Sequence, residues 1–268
     1  MTKQKYLIHF FLILFLITAC SNDEYISKEY ISTNLSSEKI ELSNEIFNKL
    51  KKDHYIKNFV GKDFNKTYIE ALLESLDSNK FYFTNIEVES FKQKSFDYKE
   101  REFDIDLAYV LINLYFKRLI EFSEFQIKSV KKDAFDFTKN EYIDVYYEDN
   151  LWPETKIELN ELWRLQTKND LLIAKIASKL SENPNKDLAK RYKNRIRRIQ
   201  QQREEDIFSI AMNTLSNIFD PHSSYLSPRS AEDFDMNMSL KLDGIGALLG
   251  VEDDYTKIIS LVPGGPAE

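Results

Sequence analysis

Glycine is almost confined to one end of this chain. Gly61 stands alone among the first 243 residues, whereas Gly244, Gly246, Gly250, Gly264 and Gly265 fall in the last 25. Tight hairpins and bulges rely on glycine for backbone with positive φ. A long stretch with one glycine, 30% charged and 43% hydrophobic residues therefore points to a helix-rich body with a packed core. The expected fold class is mainly α: a helical bundle over the first 237 residues or so, then a β-hairpin. At 268 residues the chain could hold one or two domains. A net charge of -7 argues against a general nucleic-acid binder, which must neutralise phosphates. A single cysteine excludes a disulfide framework and a zinc cluster, and nothing calls for a cofactor.

Residues 1–19 read as a targeting signal. Lys3 and Lys5 precede an apolar run from Tyr6 to Ala19. That run is shorter than the roughly 20 residues a membrane-spanning helix needs. It fits a secretory h-region ending in a small residue. Ile17-Thr18-Ala19-Cys20 resembles the lipobox of bacterial lipoproteins, in which the cysteine is acylated after cleavage. The alternative is an ordinary cleaved signal. Cys20 is the only cysteine and sits where lipidation requires it, which favours the lipoprotein. Residues 20–37 are polar and irregular and read as a tether.

Helix periodicity fills residues 38–237. Leu42, Ile46, Phe47 and Leu50 share one face after a cap at Ser36 or Ser37, and Tyr68, Leu72, Leu73 and Leu76 form a second stripe. Thr84-Asn-Ile-Glu87 and Thr155-Lys-Ile-Glu158 are capping boxes. The run from Asp104 to Lys131 carries Leu107, Val110, Leu111, Leu114, Tyr115, Phe122 and Phe125 on more than one side, so it is expected at the centre of the bundle. The helix after Pro153 is expected to bury Ile157, Leu162, Leu165, Leu172 and Ile176, and Trp152 and Trp163 are expected in the core. Asn183-Pro184 starts a helix with the stripe Leu188, Tyr192, Ile196 and Ile199. That helix is strongly basic between Lys190 and Arg203. A phosphate or headgroup patch is one account; a solvated face paired with Glu204, Glu205 and Asp206 is the favoured one. Asp206 to Asn217 makes the next helix, with Ile207, Ile210, Ala211 and Leu215 inward, and Ser227-Pro228 starts a short one to about Met236.

Asp220-Pro-His-Ser-Ser224 holds the residue types of a serine-hydrolase triad, but consecutive turn residues cannot converge on one another. Asp220-Pro221 reads as a helix stop, with His222 expected in a hinge hydrogen bond. His9 and His54 lack partners at metal-ligand spacing, and no metal site is expected. Asp253-Asp254 reads as a hairpin turn.

Gly244-Ile245-Gly246-Ala247-Leu248 sets two glycines around an apolar residue just before a strand. Such a loop can turn successive N–H groups inward as an anion nest, and a strand leaving it offers an edge to an added peptide. The candidate function is capture of a peptide's C-terminal carboxylate. A glycine turn without a ligand explains the pentapeptide equally well. Ala247–Val251 and Tyr255–Val262 would be the two strands. A lone hairpin is marginal in water, so the chain is expected to be the front of a larger protein.

Phe219-Asp-Pro-His-Ser-Ser-Tyr-Leu-Ser-Pro-Arg229, Met238-Ser-Leu-Lys-Leu-Asp-Gly-Ile-Gly-Ala247, Asp253-Asp-Tyr255 and Pro263-Gly-Gly-Pro-Ala267 closely resemble the tail-specific proteases, bacterial C-terminal-processing serine peptidases. Weaker similarity runs through Glu161-Leu-Trp163, Arg191-Tyr-Lys193 and Asp206-Ile-Phe-Ser209 back to about His54. The resemblance implies an N-terminal helical domain over 38–237 and the truncated start of a PDZ domain over 238–268. It maps the carboxylate-binding loop to Gly244, Ile245, Gly246 and Ala247, with Leu248 entering the peptide-binding strand. It implies a serine nucleophile and a lysine base downstream of Glu268, so no residue here is assigned as catalytic and the chain alone should be inactive. Partners implied are proteins or peptides with apolar C-termini, the membrane through lipidated Cys20, and an adaptor lipoprotein, but no nucleic acid. The expected location is the bacterial cell envelope, facing the periplasm, with Ser21 after the cysteine leaning towards the outer membrane. The rival expectation is a non-catalytic lipoprotein acting as scaffold or adaptor.

Overall fold

Side-chain caps open most of the helices where the sequence places them. The computed structural model describes residues 30–56, 61, 63–97, 103–132, 135–144, 151–177, 183–239, 244–252 and 255–268. Ser36 Oγ accepts the N–H of Lys39 at 3.3 Å and starts α1, Ser37–Asp53. Helix α2 spans Phe64–Leu76. Thr84 and Glu87 cap each other reciprocally, at 3.4 and 2.9 Å, ahead of α3, Asn85–Asp97. Asp104 accepts the N–H of Asp106 at 2.9 Å and starts α4, Ile105–Lys131. Before α5, Lys156–Ala177, Thr155 Oγ1 takes the Glu158 N–H at 3.2 Å, but the Glu158 carboxylate takes the N–H of Glu154 instead of closing the box on Thr155. Asn183 caps α6, Pro184–Gln200, at 3.0 Å with Pro184 as its first residue. Helices α7, Glu204–Phe219, and α8, Pro228–Ser239, follow. The only strands among the described residues are β1, Ala247–Glu252, and β2, Tyr255–Leu261, paired antiparallel. The chain is mainly α with a small C-terminal hairpin, as the glycine distribution requires.

Helix α4 lies at the centre and touches α1, α2, α3, α5, α6 and α7. It buries Leu107, Leu111, Ile112, Phe116 and Ile120 on several sides. Val110, expected inward, is 55% exposed. The stripes of α2, α6 and α7 are buried as their periodicity indicates: Tyr68, Leu72 and Leu73; Leu188, Tyr192, Ile196 and Ile199; Ile207, Ala211 and Leu215.

Helix α5 departs from expectation. Ile157, Leu172 and Ile176 are exposed, at 82%, 42% and 72%, while Leu159, Trp163 and Leu171 turn inward. The buried face is the one that carries Trp163, as expected for that residue alone. Its ring packs 5.1 Å from Phe122 on α4, and its indole N–H donates to the Phe81 carbonyl at 2.6 Å. A tryptophan buried with its N–H satisfied contributes more than any single aliphatic residue on the competing face. Trp152 is half-buried, with its N–H on Asp77.

Two further differences concern polar contacts. Residues 30–36, read as the end of a tether, are tied to the bundle. Tyr30 Oη donates to Asn113 Oδ1 at 2.7 Å, and Ser36 N–H donates to Glu204 Oε1 at 2.6 Å. The acidic trio after the basic helix serves other partners than that helix. Glu205 pairs with Lys39 of α1 and accepts from Tyr225 Oη, and Asp206 Oδ2 takes the Arg203 N–H. Helices α1 and α7 are adjacent, and that places Lys39 nearer to Glu205 than the cations of α6.

Candidate functional site

The glycine-rich loop and the turn after β2 are folded against each other. Gly246 has φ of +74°, in the region that side chains disfavour. Its carbonyl accepts the N–H of Val262 at 2.8 Å, one step beyond the Ala247–Leu261 pair of the ladder. A Cβ on Gly246 would lie 2.8 Å from Pro266 Cδ and 3.0 Å from Gly265 Cα. Pro263-Gly-Gly-Pro-Ala267 therefore buttresses the loop, and the glycine is needed twice over, for its φ and for the close approach of backbone. Gly264, at φ of +76°, makes the turn, and Gly265 N–H donates to Val262 O at 2.9 Å.

The five residues singled out in the sequence are thus contiguous at one end of the hairpin. A Cβ added at Gly244 would meet nothing within 4 Å. Ile245 is 60% exposed and Leu248 is 55% exposed. Ala247 and Leu248 enter β1 opposite Leu261 and Ser260. Among the described residues β1 pairs only with β2, so its other edge presents backbone donors and acceptors. A bulge at Ile259 shifts the register after Leu248 and lays the Ile259 side chain over Gly250. This arrangement can accept an extended peptide along β1, with Ile245 and Leu248 as apolar contacts.

The hinge between α7 and α8 is organised by Asp220. Its Oδ1 accepts the backbone N–H of His222 at 3.0 Å, and its Oδ2 accepts Tyr55 Oη at 3.1 Å. The His222 N–H, then Tyr55, hold this exposed carboxyl below its ordinary range. The hydrogen bond foreseen at His222 comes from its main chain. The Tyr55 contact joins the residues after α1 to the end of α7, and no local sequence signal marks it. The Ser223 N–H donates to the Asp220 carbonyl at 2.8 Å and closes the turn. Cys20 lies outside the described residues, as do Asp253 and Asp254. Among the described residues no helix is long and apolar enough to cross a membrane, and no three His, Cys, Asp or Glu side chains come together as metal ligands.

Comparison with known proteins bears on the helical body. Residues 46–229 match the family model of the tail specific protease N-terminal domain. The chain is 33% identical over 223 residues to the tail-specific protease of Haemophilus influenzae. The alignment takes in 82% of this chain and 32% of that protein, so the chain spans about a third of the length of the curated relative it matches.

Proposed function

The chain belongs to the tail-specific protease family and carries its N-terminal domain, and from that membership we propose that it is the N-terminal part of an envelope-facing serine endopeptidase that selects substrates by apolar C-terminal tails. The observation that carries this reading is the buttressed loop at Gly246, which opens directly into a strand with one edge unpaired among the described residues. Loop N–H groups would hold the terminal carboxylate, the peptide would add along β1, and Ile245 and Leu248 would line the pocket of the last side chain. By the resemblance, this is the opening of a PDZ domain. Hydrolysis would reside in the two thirds of the Haemophilus influenzae relative's length that the alignment does not cover. There a lysine would take the proton of a serine nucleophile, and backbone amides would stabilise the oxyanion. The helical bundle would support that machinery, and a lipid on Cys20 would hold it at the membrane.

The test uses the full-length protein and a reporter substrate ending in a free apolar tail. We expect cleavage of that reporter and at least about tenfold slower cleavage when its tail ends in an amide or a charged residue. Equal rates for the two tails would remove the tail-selection claim. Absence of any peptidase activity in a folded full-length protein would remove the enzyme.

A further inference from the structure

A cleft of about 450 Å³ opens where the turn at Asn79–Tyr82 meets α4, α5 and α6. One wall is aromatic. The rings of Tyr82 and Tyr115 meet edge to face at 5.2 Å, and Tyr82 meets Phe122 at 6.1 Å. Burial holds both tyrosine hydroxyls protonated, so each can donate a hydrogen bond.

The other wall is a polar network around Asp170. Its Oδ1 accepts from Gln166 Nε2 at 3.0 Å, and its Oδ2 accepts from Tyr192 Oη at 2.7 Å and Gln126 Nε2 at 3.2 Å. Arg191 stands 3.7 Å away. Asp170 is thus satisfied by neighbours on α4, α5 and α6. Arg195 is not satisfied in the same way. One of its N–H groups donates to Gln126 Oε1 at 3.1 Å, and its guanidinium lies 5.1 Å from the Tyr192 ring and 5.9 Å from the Phe122 ring. Among the described residues no carboxylate lies within ion-pair distance of Arg195. A guanidinium is a planar fork of five donors that matches a carboxylate. A half-buried one using a single donor, beside an aromatic wall, has donors to offer an anion. Next to it Gln166 Oε1 is buried without a donor, leaving an acceptor for a ligand N–H.

We propose that this cleft binds a free carboxylate borne on an apolar or aromatic side chain, the chemistry shared by a peptide's last residue and a free apolar amino acid. The carboxylate pairs with the fork of Arg195, with Arg191 adding positive charge. The side chain lies against Tyr115 and Phe122. Gln166 accepts the N–H of the same residue. The site is built wholly from the helical bundle and does not depend on the glycine loop.

The probe is N-acetyl-L-phenylalanine, titrated calorimetrically into the 268-residue chain. Its amide, N-acetyl-L-phenylalaninamide, removes the charge, and free L-phenylalanine separates the two sources of the ligand. We expect saturable binding of the acid and at least about tenfold weaker binding of the amide. Arg195→Met should weaken the acid about tenfold, and Tyr115→Phe should weaken it less. Tighter binding of free phenylalanine than of its acetyl form identifies the free amino acid as the ligand; the reverse identifies a chain end. Binding of acid and amide alike, binding of inorganic phosphate alone, or no saturable binding would overturn the proposal. So would undiminished binding in Arg195→Met. If Arg195→Met fails to fold, shifts of the Tyr82 and Phe122 ring resonances on adding the acid to the unaltered chain decide the matter, and their absence overturns it.

Discussion

The indole N–H of Trp152 donates to Asp77 Oδ2 at 3.1 Å and completes a set of four donors around one buried carboxyl. The other three are the consecutive backbone N–H groups of Phe81, Tyr82 and Phe83, at 2.6, 3.0 and 3.2 Å. Lys80, at φ of +59°, turns the backbone so that these groups converge. Its ammonium lies 4.1 Å from the Trp152 ring. Asp77 thereby pins the segment before α5 to the turn between α2 and α3, and that turn forms the floor of the aromatic cleft.

Trp152→Phe keeps the ring and removes the indole donor. We expect a loss of about 1 kcal/mol in urea unfolding. Asp77→Ala strands four donors and should cost about 3 kcal/mol or more. The double variant should fall short of the sum, because both changes remove the same contact. Strict additivity would show that the 3.1 Å contact contributes nothing.

The same carboxyl makes stability depend on pH. Burial outweighs the four hydrogen bonds and pushes the Asp77 pKa up from 3.8 to about 6. The folded state therefore holds this proton more tightly than the unfolded chain. The contribution of Asp77 to stability is fully present below the unfolded pKa of 3.8 and is lost as pH rises to about 6. Across that window the wild type should lose about 3 kcal/mol relative to Asp77→Asn. Glu87 works in the opposite sense. Burial disfavours its ionisation, but hydrogen bonds from Thr84 and Arg118 outweigh this and hold its carboxyl below the usual range. Its contribution is present above the ordinary glutamate pKa and is lost as pH falls through its own lowered value. Denaturation curves for wild type and Asp77→Asn at pH 4 and pH 7 check the first claim, and a constant gap between them would refute it.

Gly246 and Gly250 should respond differently to alanine. A Cβ at Gly246 meets the ring and backbone of Pro266 within 2.9 Å at a disfavoured φ, so neither side can yield. At Gly250 the obstacle is Ile259 Cδ1 at 2.6 Å, the far end of a flexible side chain, and the φ is ordinary. In the full-length protein, Gly246→Ala should weaken a free apolar tail about tenfold, whereas Gly250→Ala should change it less than about threefold. Fluorescence anisotropy of a labelled tail peptide measures both, and equal effects would detach the loop geometry from tail binding.

Cys20→Ala tests the anchor. Membrane fractionation of cells expressing the full-length protein should show its release to the soluble fraction, because a lipidated cysteine supplies the chains needed for stable attachment. Retention in the membrane after the change would remove the lipoprotein from the account.

Much of the helical body was legible from local chemistry. Ser36, Thr84, Asp104 and Asn183 cap helices where their residue types predict. The stripes of α6 and α7 are buried because each has a single apolar face. At α5 the sequence was ambiguous, since Ile157, Leu172 and Ile176 form as good a stripe as Leu159, Trp163 and Leu171. The glycine loop was legible as a loop, because only glycine suits its φ. Its buttress by Pro266 was not, since that contact joins residues 20 apart in sequence across the hairpin.

The sequence by itself determined where helices start, that the body is helical, that strands wait for the glycine-rich end, and which family the chain resembles. These are decided within a few residues, by caps, periodicity and the freedom of glycine. Only the tertiary structure decided which face of α5 is buried, that Glu205 serves Lys39 and not the basic helix, and that Arg195 faces aromatic rings with, among the described residues, no carboxylate within ion-pair distance. Those outcomes depend on which elements become neighbours. A helix carries the same periodicity whatever packs against it, and a charge finds its partner by distance in space.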